Sequence, residues 1–151
     1  MSTVKRYSGM SGPAKAWLLT KIFETQRKII AICPDTFAAE RLSEDLRLFL
    51  TSTNVLDLPA WDTLPFELVS PQVEISATRI YATHTMLTQD SFICVTTAEA
   101  LCQRFLSIRE IDFLTISLKP KQAMNREELL QRLQFAGYQR VSLVELVGQY
   151  T

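Results

Sequence analysis

The sequence predicts an α/β sandwich with parallel strands, and three observations carry that prediction. Short apolar runs at Lys28–Cys33 (KIIAIC), Asn54–Leu58 and Ser91–Thr96 (SFICVT) alternate with longer stretches of helical periodicity. A short continuous apolar run is what a strand buried on both faces of a parallel sheet presents. Strand, helix, strand, helix, strand joined by short breaks requires parallel neighbours and right-handed crossovers. The chain has 151 residues, 47% of them apolar, which is one domain with enough material for a core.

Taken in order, Val4–Ser8 reads as a short first strand leading into a glycine-containing turn. Pro13 suits a first helical turn, where its missing N–H costs nothing. Ala14, Trp17, Leu18 and Ile22, with Phe23 beside them, form the apolar stripe of a helix ending near Thr25. Pro34-Asp35-Thr36 breaks the strand Lys28–Cys33 and caps a second helix, lined on one face by Ala38, Leu42, Leu46 and Phe49. Arg41 and Asp45 are spaced as an i,i+4 pair on its solvent side, worth about 0.3 kcal/mol. Asn54–Leu58 is the next strand.

The segment Pro59–Pro71, PAWDTLPFELVSP, cannot be a regular helix, because proline forces the residue before it into an extended conformation. Trp61, Leu64, Phe66 and Leu68 lie between its prolines. Exposed apolar patches are rare on monomers, so Trp61 and Phe66 are expected to be largely buried and to anchor this loop. If both were exposed, the segment would instead be a partner-docking surface. Ser70 and Pro71 supply a cap and first turn for a third helix, with Val73, Ala77, Ile80 and Leu87 on one side and Arg79 elsewhere. His84, the sole histidine, falls near that apolar face without partners for a metal site or a triad, which makes it structural.

Ser91–Thr96 is a fourth strand, and Thr96 with Glu99 makes a capping box for a helix through Ala98, Leu101, Cys102 and Phe105. Leu114, Ile116 and Leu118 alternate with Thr115, Ser117 and Lys119, as in a half-exposed strand. Lys119-Pro120-Lys121 is a loop. Asn125 and Glu128 make a second capping box for a helix carrying Leu129, Leu130 and Leu133, which Gly137 stops. Tyr138–Val147 then begins a new extended segment.

Lys+Arg and Asp+Glu both count 16, so no global field favours nucleic acid or an anionic membrane. No run reaches membrane-spanning length, and the N-terminus has no secretory apolar region. Cys33, Cys94 and Cys102 form no C-x-x-C, and the first two sit inside apolar strand runs. They read as buried, reduced thiols of a cytosolic protein.

The stretch Tyr7–Ala16 has the outline of a phosphate-binding loop, G-x-x-x-x-G-K-[ST]. With Gly9 first, Met10, Ser11, Gly12 and Pro13 fill the variable positions, Ala14 takes the second glycine, Lys15 the lysine and Ala16 the hydroxyl. The methyl of Ala14 penalises a positive φ, and Ala16 has no oxygen for Mg²⁺. Two readings stay open: a plain glycine-containing strand-to-helix turn, which the two misfit residues favour, and a nucleotide site gripped by Lys15. No apolar strand ends in the acidic pair a nucleoside triphosphatase needs, and Asp57 stands alone. ATP hydrolysis, a cofactor, a metal and catalytic residues are therefore not expected.

The segments SGMSGPAKAWLL, IIAICPDTFAAERLSEDLRLFL, LPAWDTLPFELVSPQVEISATRI, ICVTTAEALCQRF and REELLQRLQFAGYQRV together resemble the N-terminal region of the bacterial transcription-repair coupling factors, the Mfd family. Leu58–Arg79 is the most specific part, a W-[DE]-T-L-P-[FY] core followed by S-P and an arginine-bearing helix. That region is itself similar to the nucleotide excision repair protein UvrB. The resemblance implies a RecA-like three-layer sandwich with a mostly parallel sheet and a degenerate phosphate loop (Gly9, Gly12, Ala14, Lys15, Ala16). It divides the chain into a lobe over 1–124 and, over 125–151, a helix and the start of the connection to a UvrA-binding domain. Trp61, Leu64, Pro65, Phe66 and Arg79 become the candidate interaction or structural loop.

UvrB carries a tyrosine-rich hairpin after the position of Pro65-Phe66; this chain runs directly from Phe66 to Ser70 and Pro71, so damage clamping does not carry over. The family motif G-[EQ]-[YF]-x-x-R-G is matched only through Gly148, Gln149 and Tyr150, which marks the chain as a fragment. The resemblance then implies a non-catalytic, cytoplasmic scaffold domain. Its partners are the adjoining domains, UvrA through the domain that follows, and RNA polymerase and double-stranded DNA only through the full-length ATP-dependent translocase. Two alternatives belong to other classes: a nucleotide-binding helicase lobe acting through Lys15, and a lobe binding single-stranded DNA at Pro34-Asp35-Thr36 and Thr96-Thr97.

Overall fold

The computed structural model describes residues 4–50, 55–63, 70–116, 118–146 and 148–151. Its centre is a three-stranded parallel sheet in the order β1 (Lys28–Cys33), β3 (Phe92–Thr97), β2 (Val55–Leu58). Lys28 pairs with Phe92 and Cys33 with Thr97 on one side, while Val55 pairs with Ile93 and Leu58 with Thr96 on the other. All of β3 is buried.

Successive side chains of a strand point to opposite faces, and the core divides accordingly. Val55, Ile93 and Val95 face one cluster with Cys33, with Ala16 and Phe23 of α1 (Ala14–Phe23), and with Leu46 of α2 (Thr36–Phe49). Leu56, Leu58, Phe92 and Cys94 face the other, beneath Ala82 of α3 (Val73–Thr88) and Leu101 of α4 (Ala98–Cys102). Helices thus cover both faces of a parallel sheet, as its doubly buried central strand requires. No helix among the described residues is long and apolar enough to cross a membrane.

Local chemistry starts most helices where side-chain oxygens are available. Asp35 accepts from the Ala38 N–H at 2.7 Å and opens α2. Thr97, one residue later than expected, accepts from the Ala100 N–H at 3.2 Å and opens α4. Ser107 and Glu110 form a full capping box for α5 (Ile108–Leu114). That helix claims Leu114, so the expected strand over Leu114, Ile116 and Leu118 does not form. The short capped turn with Ile111 inward outweighs a period-two pattern only a few residues long. Asn125 accepts from the Glu127 N–H at 2.9 Å, not in a box with Glu128, and opens α6 (Arg126–Phe135). Gly137, at φ +88°, ends it in the left-handed conformation. Of the expected extended segment Tyr138–Val147, the described residues form a strand only at β4 (Gln139–Arg140), which pairs in parallel with β5 (Gln149–Tyr150) beyond it.

Other expectations are corrected. Val4–Ser8 is exposed and not a strand: Lys5, Arg6 and Ser8 leave it too little apolar surface to bury. The run Lys28–Cys33 is an edge strand, with Ile29, Ala31 and Cys33 turned toward the core while Ile30 and Ile32 stay 54% and 60% exposed. Phe49 is exposed, and Phe105 lies beyond the end of α4. Arg41 sits over the Phe37 ring at 5.6 Å instead of pairing with Asp45. Ser70 and Pro71 do not open α3; its first turn is held from outside, where the Asp62 carboxylate accepts from the Gln72 N–H at 3.3 Å. The buried face of α3 is Arg79, Ala82 and Thr85, whereas Val73, Ile80 and Leu87 are exposed. Ala82 packs against Leu56 and Leu58, where a larger side chain would hold the helix off the sheet, while Arg79 enters one end of the face beside the loops that follow β2 and α4.

Cys33 and Cys94 are buried and Cys102 is exposed. Burial pushes the Cys94 thiol up to about 12, and the charge of Asp57 adds to it. A thiol whose folded pKa lies above its unfolded value contributes stability that is complete below the unfolded pKa and lost as pH rises toward the folded one. We therefore predict that unfolding free energy falls by up to about 1.4 kcal/mol per pH unit above pH ~9, with a shallower slope in Cys94→Ala. Identical slopes in urea titrations of the two proteins would contradict this. In the native state a maleimide should label Cys102 alone. Leu46→Ala should cost about 2–5 kcal/mol, against under about 0.5 kcal/mol for the exposed Leu48→Ala.

Candidate functional site

The loop before α1 keeps two glycines in the left-handed region, Gly9 at φ +74° and Gly12 at φ +53°. A Cβ at either would meet nothing within 4 Å, so backbone conformation and not crowding selects glycine there. Ala14 opens α1, and its N–H is already donated to the Ser11 carbonyl at 3.3 Å. Ala16 is fully buried, its methyl packed in the core beside Phe23 and Cys33. Lys15 is exposed and lines a cavity of about 220 Å³ with Gly12, Phe37, Arg41 and Asp45.

The loop therefore lies against α2, near the carboxyl end of β1. Burial pushes the Cys33 thiol up; the positive charge of Lys15 opposes this and Asp35 reinforces it. Lys15 and Arg41 can attract an anion to this concavity, with Asp45 as a counterweight. Among the described residues no group of three or more His, Cys, Asp or Glu is placed to hold a metal. Asp57 is engaged elsewhere: the Ser43 hydroxyl donates to it at 2.6 Å and Arg47 pairs with its other oxygen.

The second cluster centres on Arg79, whose side chain is buried to 3% exposure. Its guanidinium lies 4.6 Å from the Trp61 ring centroid and 5.1 Å from that of Phe105. It donates to the Pro59 carbonyl, directly after β2, and to the Arg104 carbonyl at 3.4 Å, after α4. The Trp61 N–H donates to Gln103 Oε1 at 2.7 Å, and the Thr96 hydroxyl donates to the Leu58 carbonyl at 2.9 Å. Burial lowers the Arg79 pKa, yet a guanidinium stays protonated at any physiological pH. One side chain from α3 thus ties the loop leaving β2 to the loop leaving α4.

The structure brings Trp61 and Arg79 together, with Trp61 half-buried, while Leu64, Pro65 and Phe66 lie outside the described residues. His84 is half-buried on α3. Gln103, Arg104 and Phe105 escape a sequence reading because their role depends on α4 stopping at Cys102. Extending the helical pattern to Phe105 hid them.

No protein-family model matches the chain. It is similar to the transcription-repair-coupling factor of Escherichia coli (strain K12), 28% identical over 142 residues that cover 93% of this chain and 12% of that protein. The protein of the same name from Myxococcus xanthus is 29% identical over 97% of this chain and 13% of its own length. That of Haemophilus influenzae (strain ATCC 51907 / DSM 11121 / KW20 / Rd) is 28% identical over 91% of this chain and 12% of its own. The resemblance drawn from the motifs is borne out by these three relatives, of whose length the chain spans 12–13%.

Arg79→Ala should strand two backbone carbonyls and cost about 3 kcal/mol in urea unfolding. In a Trp17→Phe background the Trp61 emission should shift to the red as its ring loses its cover. A cost under about 1 kcal/mol with unshifted emission would show that Arg79 ties nothing.

Proposed function

We propose that the chain is a non-catalytic scaffold domain of a transcription-repair coupling factor, RecA-like in fold and carrying a degenerate phosphate loop. The observation that carries this is similarity to three such factors over 91–97% of the chain. In the whole cytoplasmic protein, a separate ATP-dependent motor moves on double-stranded DNA and displaces stalled RNA polymerase, and UvrA is recruited to the lesion. This domain positions the adjoining UvrA-binding domain, packs against it, and helps to keep that surface masked until the motor engages.

The distribution of apolar surface supports a packing role. No residue of α6 is buried. Phe113 and Phe135, 63% and 70% exposed, stack edge to face with centroids 5.1 Å apart. An aromatic pair left this open on a lone domain is suited to a neighbouring surface. The loop chemistry supports the absence of catalysis, since the residue at the hydroxyl position is a methyl packed in the core.

The nucleotide-binding alternative draws on Lys15, exposed at the rim of a small cavity. The single-stranded-DNA alternative draws less support: the Thr96 hydroxyl donates to Leu58 and Thr97 caps α4, so neither is free for a phosphate. Titration calorimetry with Mg-ATP separates the first two readings. Heats should match dilution for the native chain and for Lys15→Ala alike. Micromolar binding that Lys15→Ala abolishes would overturn the scaffold reading in favour of a live nucleotide site.

A further inference from the structure

Ile111, at 1% exposure, is the last buried residue; among the described residues that follow it none is buried. The C-terminal stretch is nevertheless bonded within itself. At the end of α6 the Tyr138 N–H donates to the Leu133 carbonyl at 3.0 Å, and the Gly137 N–H donates to the Gln134 carbonyl at 3.1 Å. β4 then pairs with β5, and Gln149 Oε1 accepts from the Glu145 and Leu146 N–H groups at 2.9 and 3.0 Å. All of these bonds begin and end inside the stretch. Among the described residues no hydrogen bond or ion pair joins 118–151 to the body of the chain, 4–116.

What joins the two parts is apolar and thin. Phe113 of α5 and Phe135 of α6 meet edge to face, and both rings are largely exposed. Beside them a cavity of about 230 Å³ separates Leu114 and Ile116 from Arg132 and Ala136, so the surfaces around the stack do not interlock. The covalent joint is the turn closed by the Gln122 N–H donating to the Lys119 carbonyl at 3.1 Å. Within it Lys121 stands at φ +64°, left-handed without being glycine. Such a conformation persists where its surroundings enforce it, and Lys121 is exposed. The turn has the character of a hinge, with a few loop residues able to absorb a change of backbone angle.

We propose that residues 118–151 form a hinged arm. It turns on Lys119–Gln122 and docks on the body through the Phe113–Phe135 stack, exchanging between docked and swung-out orientations without unfolding. A surface that favours one orientation of α6 then selects it against a single aromatic contact. The proposal goes beyond the scaffold reading and does not rest on it, since it concerns the isolated chain.

Residual dipolar couplings of the full ¹⁵N-labelled chain test it. Amides of β1–β3 and α1–α4 should fit one alignment tensor, and those of α6, β4 and β5 a second of smaller magnitude. Phe135→Ala removes an exposed ring and leaves the fold intact; it should move the docked-to-open ratio about two- to tenfold toward open and reduce the arm's tensor further. The body's couplings should stay as they are. A single tensor for the whole native chain, random-coil shifts over α6, or an arm tensor unmoved by Phe135→Ala overturns the proposal.

Discussion

The constraint behind the whole structure is that β3 lies between two strands and under helices on both faces. A parallel strand in that position has no solvent side, so every residue from Phe92 to Thr97 is buried. Its odd and even side chains must then serve two separate cores. Ile93 and Val95 hold α1 and α2, while Phe92 and Cys94 hold α3 and α4. The helix after β1 and the helix after β2 cover opposite faces because each crossover runs the other way along the sheet.

Polar side chains then secure the joints that apolar packing leaves loose. Thr96 fastens β3 to the end of β2, and Asp57 draws Ser43 and Arg47 of α2 down on the sheet. Arg79 does the same across the opposite face, binding two loops through their carbonyls and two rings through its flat guanidinium. These bonds engage the side chains of Asp57, Arg79 and Thr96 near the carboxyl end of the sheet. Among the described residues, exposed apolar surface includes Ile30 and Ile32 on the edge strand β1 and the Phe113–Phe135 pair.

Much of this was legible in the sequence where a local rule coincided with the tertiary one. Asp35, Asn125 and Gly137 bound their helices because capping and left-handed glycine are local physics. KIIAIC was rightly a strand, but apolar content could not tell an edge from a centre; only pairing does. The inward face of α3 is not legible from apolar bulk, because this helix buries Arg79, Ala82 and Thr85 against the sheet while Val73, Ile80 and Leu87 stay exposed. Trp61 and Arg79 belong to one candidate loop in the sequence, but Gln103, Arg104 and Phe105 join them only because α4 ends at Cys102, a boundary no local signal marks.

Hydrogen exchange with and without Mg-ATP tests the account most directly, because it reads the central strand and the loop in one experiment. Amides of Phe92–Thr97 should exchange last, with an opening free energy equal to that of global unfolding, and nucleotide should leave Gly9–Ala16 unchanged. Early exchange in β3, or new protection over Gly9–Ala16 on adding Mg-ATP, would contradict a scaffold built on a doubly buried strand.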